Sequence, residues 1–214
     1  MTLPGFYDGV PKLPETLRTQ WDALGFEPEQ FLGDVGLKQP AGEMGKSGLE
    51  MIWSEPTLEF NGINGGYTGA GFKTVLPSQA SVKLSARLVG DQDPHKIRAA
   101  LHKYIRDNLP DDCTVAFHPH GASKASTMAT DHPAFEKARK ALSDEWPKEA
   151  AFIGCGGSIP IAGHFKNIIG VDAMLAGFGR DDDQIHSPNE KYDVECFHKG
   201  IRSWARILEA VSKD

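Results

Sequence analysis

The segment SVKLSARLV, Ser81 to Val89, alternates without a break: Val82, Leu84, Ala86 and Leu88 fall on one face, Lys83, Ser85 and Arg87 on the other. A period of two is the mark of a strand with one face buried. Directly after it, Asp93 and Pro94 supply an N-cap and a first-turn proline, and Ile97, Leu101, Tyr104 and Ile105 recur at helical spacing until Pro110. TVAFHPH, residues 114–120, reads as another strand, and a second helix is expected from near Pro133, with Phe135, Ala138, Leu142 and Trp146 on one face. Strand, helix, strand, helix is the layer pattern of an α+β domain.

The flanks are less sharply written. Residues 1–55 are rich in Pro, Gly and acids, with short helical candidates around Leu17, Trp21 and Leu24 and across EPEQFLGDVG. TLEF, from Thr57, alternates, and NGINGGYTGAGFKTVLP then sets five glycines between Gly62 and Gly71 before Pro77, which makes it a shaped loop. After Pro147 come a Gly-rich turn IGCGGSIPI, an apolar strand candidate VDAMLAGFG, the acidic turn DDDQIHSPN and a last helix carrying Phe197, Ile201, Trp204, Leu208 and Val211. One strand and two helices cannot enclose a core, so these apolar residues are expected to pack on something else.

Composition places the chain among ordinary globular proteins: 214 residues, 40% hydrophobic, 24% charged. The net charge of -6 is spread along the chain, with no Lys/Arg block, which argues against nucleic acid as a partner. No apolar run reaches membrane-spanning length. The start, MTLPGFYDGV, has neither the basic leader nor the apolar stretch of a secretory signal, and Cys113, Cys155 and Cys196 are odd in number and far apart. They read as free thiols of a cytoplasmic protein.

Four features could carry chemistry. GAGFKT resembles a phosphate loop, but Phe72 separates Gly71 from Lys73 and a strand, not a helix, follows, which favours a structural or substrate-facing loop. Arg87, on the polar strand face, is either a solvated surface residue or a bidentate anchor for a substrate carboxylate. Gly156, Gly157 and Ser158 form either a tight turn or a cradle of N–H groups and a hydroxyl for a carbonyl oxygen. His186, in the acidic turn, is either a metal ligand or part of a solvated loop. No His-x-x-x-His or Cys-x-x-Cys accompanies it, and the preceding aspartates need not converge on one ion. His118, His120, His132, His164 and His198 read as surface or hydrogen-bonded structural residues.

Taken in order, PGFYDGV, PTLEFNGINGGYTGAGFKTVLP, KLSARLVGDQDP, CGGSIP and HSPNE resemble the C-terminal half of the zinc exopeptidase family that includes carnosine dipeptidase, bacterial glutamate carboxypeptidase and aminoacylase. The match runs nearly the whole chain, and the carnosine-dipeptidase branch is nearest. The resemblance implies a catalytic α/β domain holding two divalent metal ions, zinc or manganese, interrupted by a lid with an antiparallel sheet and two helices that also dimerises. On this reading residues 1–147 are a partial lid and residues 148–214 an incomplete catalytic-domain segment, so the fold class is α+β.

By the same resemblance Thr74 and Arg87 contact substrate, Arg87 at its carboxylate, Gly157 and Ser158 form the substrate-binding turn, and His186 is the ligand of the second metal. The aspartates before His186 become turn residues. The remaining ligands and the general-base glutamate belong to an upstream half with no counterpart here, so no catalytic residue is expected within these 214 and no metal should bind tightly to the chain alone. One departure stands out: many members of the family it resembles carry Arg-Glu before Gly-Gly-Ser, where this chain has Gly154 and Cys155, which puts the dipeptide specificity in question. The implied activity is hydrolysis of a small peptide or N-acyl amino acid by a cytoplasmic homodimer. The alternative is a non-catalytic dimerisation and substrate-recognition module.

Overall fold

The computed structural model describes residues 3–43, 45–156 and 159–213. Among the described residues seven α-helices and two strands follow in the order α1 (Glu15–Asp22), α2 (Pro28–Gly33), α3 (Gly48–Trp53), β1 (Thr57–Gly65), β2 (Ala80–Arg87), α4 (Pro94–Asp107), α5 (Pro133–Ser143), α6 (Pro160–His164) and α7 (Val194–Ser212). The mixture is α+β, as the residue pattern indicates. The chain forms two compact units, one of the residues up to Thr127 with Gly154–Gly163, the other of Met128–Ile153 and His164–Asp214.

In the first unit β1 and β2 pair antiparallel from Thr57 opposite Arg87 to Gly65 opposite Ala80, with a bulge between Phe60 and Gly62. A cross-strand hydrogen bond from Ser85 Oγ to Glu59 Oε2 (3.0 Å) marks the polar face that also carries Arg87. Leu58 and the nearby Leu88 pack on the small core of Leu3, Phe6 and Ile97, to which Leu101 of α4 is added. Gln92, almost fully buried, ties this end together by accepting from the Val89 N–H and donating to the Phe6 carbonyl. Burial stops there. Towards the hairpin tip Ile63 is 78% and Val82 46% exposed, so β2 forms as expected without being half-buried along its length. The physical reason is layering: a two-stranded ribbon has no second layer of its own to cover the far end.

Helix α4 starts where Asp93 predicts, its carboxylate accepting from the His95 and Lys96 N–H groups. The expected strand at 114–120 does not form; those residues are irregular. They lie on α4 instead, with Phe117 stacked on His102 at 3.9 Å, the Arg106 guanidinium over the same ring, and Arg98 donating to the His120 carbonyl at 2.7 Å. Alternation marks which side chains seek cover, but a strand also needs a partner edge for its backbone groups.

Helix α3 was not foreseen. Ser47 and Glu50 build a complete capping box at its start, and Arg18 of α1 pairs with the buried Glu50. The Ser-x-x-Glu spacing is a readable signal that the surrounding Gly-rich text obscured.

In the second unit α5 packs on α7 through Ala138, Ala141 and Ile207, and Glu145 accepts from Arg202 Nε (2.8 Å) and Arg206 Nε (3.0 Å). Helix α7 buries Cys196, Gly200, Ser203 and Ile207, a face of mostly small residues. Phe178 packs closely on Gly200, where an added Cβ would stand 3.0 Å from the ring and oblige it to shift. The larger stripe of Phe197, Ile201, Trp204, Leu208 and Val211 faces outward, with Leu208 63% exposed. The expected strand at 171–179 is absent too; Phe178 from that stretch stacks on Trp146 and meets Trp204 edge-on.

Candidate functional site

Two of the sequence-selected segments meet in the first unit. Arg87, the last residue of β2, sends its Nη1 to the Gly156 carbonyl at 2.5 Å. The guanidinium sits on the polar strand face, exposed, and a fork of five N–H donors is not exhausted by one such bond. Gly156 lies directly before Gly157 and Ser158, which are outside the described residues. The approach is close by construction. A Cβ on Gly154 would fall 2.4 Å from Trp53 Cβ, and one on Gly156 3.2 Å from the Ile52 carbonyl. The segment therefore runs against the end of α3, and Gly154 fits there because Trp53 fills the space a side chain would need. Cys155 beside it is exposed and not in a disulfide.

Thr74 lies exposed in the loop after β1, close in sequence to Lys73, whose Nζ stands 4.7 Å over the Tyr67 ring. Among the described residues no hydrogen bond joins Thr74 to Arg87. Reading the residues singled out Arg87 and the glycines separately; it missed that the Gly156 carbonyl is the partner, since nothing local signals a bond across 69 positions.

His186 belongs to the second unit, exposed, in a turn whose base is firmly closed. Asp183, 1% exposed, accepts from the Arg180 N–H at 2.8 Å and from Lys191 Nζ at 3.0 Å. Those two donors, the backbone N–H first and the ammonium second, hold its carboxyl below the usual aspartate range. The Lys191 N–H bonds the Asp183 carbonyl at 3.0 Å, so both ends of the turn are joined through backbone and side chain. Asp182 adds an ion pair to Lys191 at 3.1 Å. Asp183 is thus occupied as a turn residue. Lys191, eight positions on, is the partner that sequence reading overlooked.

Among the described residues no three His, Cys, Asp or Glu side chains gather where one metal ion could sit. An exposed imidazole fits as one ligand, but a metal pair cannot be assembled from these residues. His132, by contrast, spends its Nδ1 accepting the Ala134 N–H at the start of α5. Among the described residues no helix is long and apolar enough to cross a membrane.

The family model described as Peptidase family M20/M25/M40 matches residues 8–210. The chain is 32% identical to the Cys-Gly metallodipeptidase of Candida albicans over 99% of its own length and 44% of that protein's. It is 27% identical to the human Beta-Ala-His dipeptidase over 96% and 41%. Among solved structures it resembles an M20 family metallo-carboxypeptidase of Sulfolobus solfataricus with a TM-score of 0.84 and 26% identity, covering 97% of this chain and 47% of that one. The di-peptidase Dug1p of Saccharomyces cerevisiae follows with a TM-score of 0.78 and 27% identity, over 99% and 45%. The chain spans less than half the length of these relatives.

Proposed function

Because the chain belongs to the M20/M25/M40 peptidase family, whose relatives here are named metallodipeptidases, we propose that it is the C-terminal portion of a cytoplasmic, homodimeric exopeptidase that hydrolyses a peptide or amide bond next to a free carboxylate. The observation that carries this reading is the Arg87 guanidinium held against the Gly156 carbonyl. It sets a cation at Gly156, and a planar fork matches a carboxylate bidentately. The substrate is a dipeptide or N-acyl amino acid, with Thr74, Gly157 and Ser158 as its further contacts. Residues 1–147 serve as lid and 148–214 as catalytic-domain segment; α5, on the lid side of that boundary, packs on α7.

His186 supplies one ligand to a pair of divalent ions, zinc or manganese. When bound, such ions contribute a polarised scissile carbonyl and a water of lowered pKa. The chain spans less than half the length of its relatives, and on this reading the other ligands and the general base come from an upstream half. The same observation favours a second reading for the 214 residues by themselves, a dimerisation and substrate-recognition module without turnover.

The test is to join the chain to an upstream catalytic half and offer the same dipeptide as free acid and as C-terminal amide. Hydrolysis of the acid with loss of the amide is expected. Equal turnover of both would remove the carboxylate from the recognition scheme.

A further inference from the structure

Gln184 and His186 are the two non-glycine residues with positive φ among the described residues, at +51° and +67°. L side chains rarely adopt this left-handed conformation, and it persists only where the surroundings impose it. Glycine would relax the turn at once, but glycine is no ligand. The closed base explains part of the constraint: Lys191 joins Asp183 through backbone and side chain, and the Ser187 N–H bonds the Gln184 carbonyl at 2.9 Å. None of these bonds touches His186 itself. The group that does is Glu190, whose Oε2 accepts the His186 backbone N–H at 3.2 Å, while the Glu190 N–H is anchored on the Ser187 carbonyl at 3.1 Å.

We propose that Glu190 is a positioning residue for His186: its carboxylate, by holding the His186 N–H, fixes the strained backbone conformation from which the imidazole is presented to metal. This rests on the reading of His186 as a metal ligand. Groups that orient a ligand without touching the ion set metal affinity about 10- to 100-fold. Here the orientation acts through the main chain of the ligand rather than through its ring. The acceptor is what matters, so an amide oxygen at the same place should serve nearly as well as a carboxylate.

The experiment uses Glu190→Ala, which removes the acceptor, and Glu190→Gln, which keeps one, with His186→Ala as the reference. Zn2+ alone is the probe, titrated calorimetrically into the chain joined to its upstream half, with thermal melting of each variant measured alongside. Expected is a loss of about 10- to 100-fold in affinity for one of two ions in Glu190→Ala at near-unchanged Tm, with most of it restored in Glu190→Gln. Wild-type affinity in Glu190→Ala, while His186→Ala loses an ion, overturns the positioning role and leaves the ligand reading intact. Retention of both ions by His186→Ala overturns the ligand reading, and this proposal with it. In the 214-residue chain, amide hydrogen exchange gives a readout independent of metal: the His186 N–H should exchange at least about tenfold faster in Glu190→Ala than in Glu190→Gln. Equal rates overturn the proposal.

Discussion

The Arg87 guanidinium and the Gly156 carbonyl lie 2.5 Å apart, joining the end of β2 to the Gly-rich segment across 69 positions of sequence. Arg87 is exposed and takes no part in the Leu3, Phe6 and Ile97 core, so Arg87→Ala should leave the melting temperature of the chain near that of the wild type. In the protein joined to its upstream half the same change should lower kcat/KM by about 2–4 kcal/mol equivalent, the range for leaving a charged partner buried and unpaired in the complex. Arg87→Lys should rescue it only in part, because an ammonium cannot reproduce the planar fork. Wild-type kinetics in Arg87→Ala would take the residue out of the site.

The elements that sequence made legible are those whose signals are local. Asp93 and Pro94 start α4 where they stand, and Pro133 starts α5 with His132 as its cap. Residues 114–120 and 171–179 have the apolar text of strands without the ladder, because pairing depends on an edge the text does not name. For α7 the periodic stripe from Phe197 to Val211 was readable, yet the face the chain buries is the small one, Cys196, Gly200, Ser203 and Ile207. Periodicity identifies two faces; the one α7 buries meets Ala138 and Ala141 of α5 through Ile207 and lets Phe178 approach Gly200 closely. At the candidate site, residue types pointed to Arg87 and His186, while their fixing partners Gly156 and Glu190 are revealed only by three-dimensional contact.

The exposed far end of the ribbon bears on assembly. Phe60, Ile63 and Val82 are uncovered apolar side chains beside strand edges, a combination that seeks a partner. The isolated chain should be a dimer by light scattering at tens of micromolar, and Val82→Lys together with Ile63→Lys should shift it toward monomer. A wild-type monomer at that concentration would count against dimerisation through this part.

Acid should destabilise the chain through its paired carboxylates. Hydrogen bonding by Arg202, reinforced by Arg206, holds Glu145 below the ordinary glutamate value of 4.5. The Ser47 N–H, with Arg18, does the same for Glu50. A depressed folded-state pKa gives stability that is fully present above the unfolded value and is lost as pH falls through the folded one. Melting temperature should therefore hold from neutrality to about pH 4.5 and drop below it, and Glu145→Gln should start lower and fall less steeply. An acid slope identical to the wild type's in that variant would show that the pair linking Glu145 to α7 does not contribute.

His186 is one exposed imidazole in a turn whose buried carboxylate, Asp183, is already spent on Arg180 and Lys191. A single imidazole lacks the preorganised ligand set from which zinc gains its affinity. The 214-residue chain should thus bind zinc weakly and hydrolyse no dipeptide. Joined to an upstream half that brings the remaining ligands and a general base, it should do both, and His186→Ala in that protein should abolish turnover with the loss of one ion. The check is a zinc titration with a dipeptidase assay on the chain, the joined protein and its His186→Ala variant. Tight binding with turnover by the chain alone would mean that its own residues complete the site, and full activity in the joined variant would reduce DDDQIHSPN to an acidic turn.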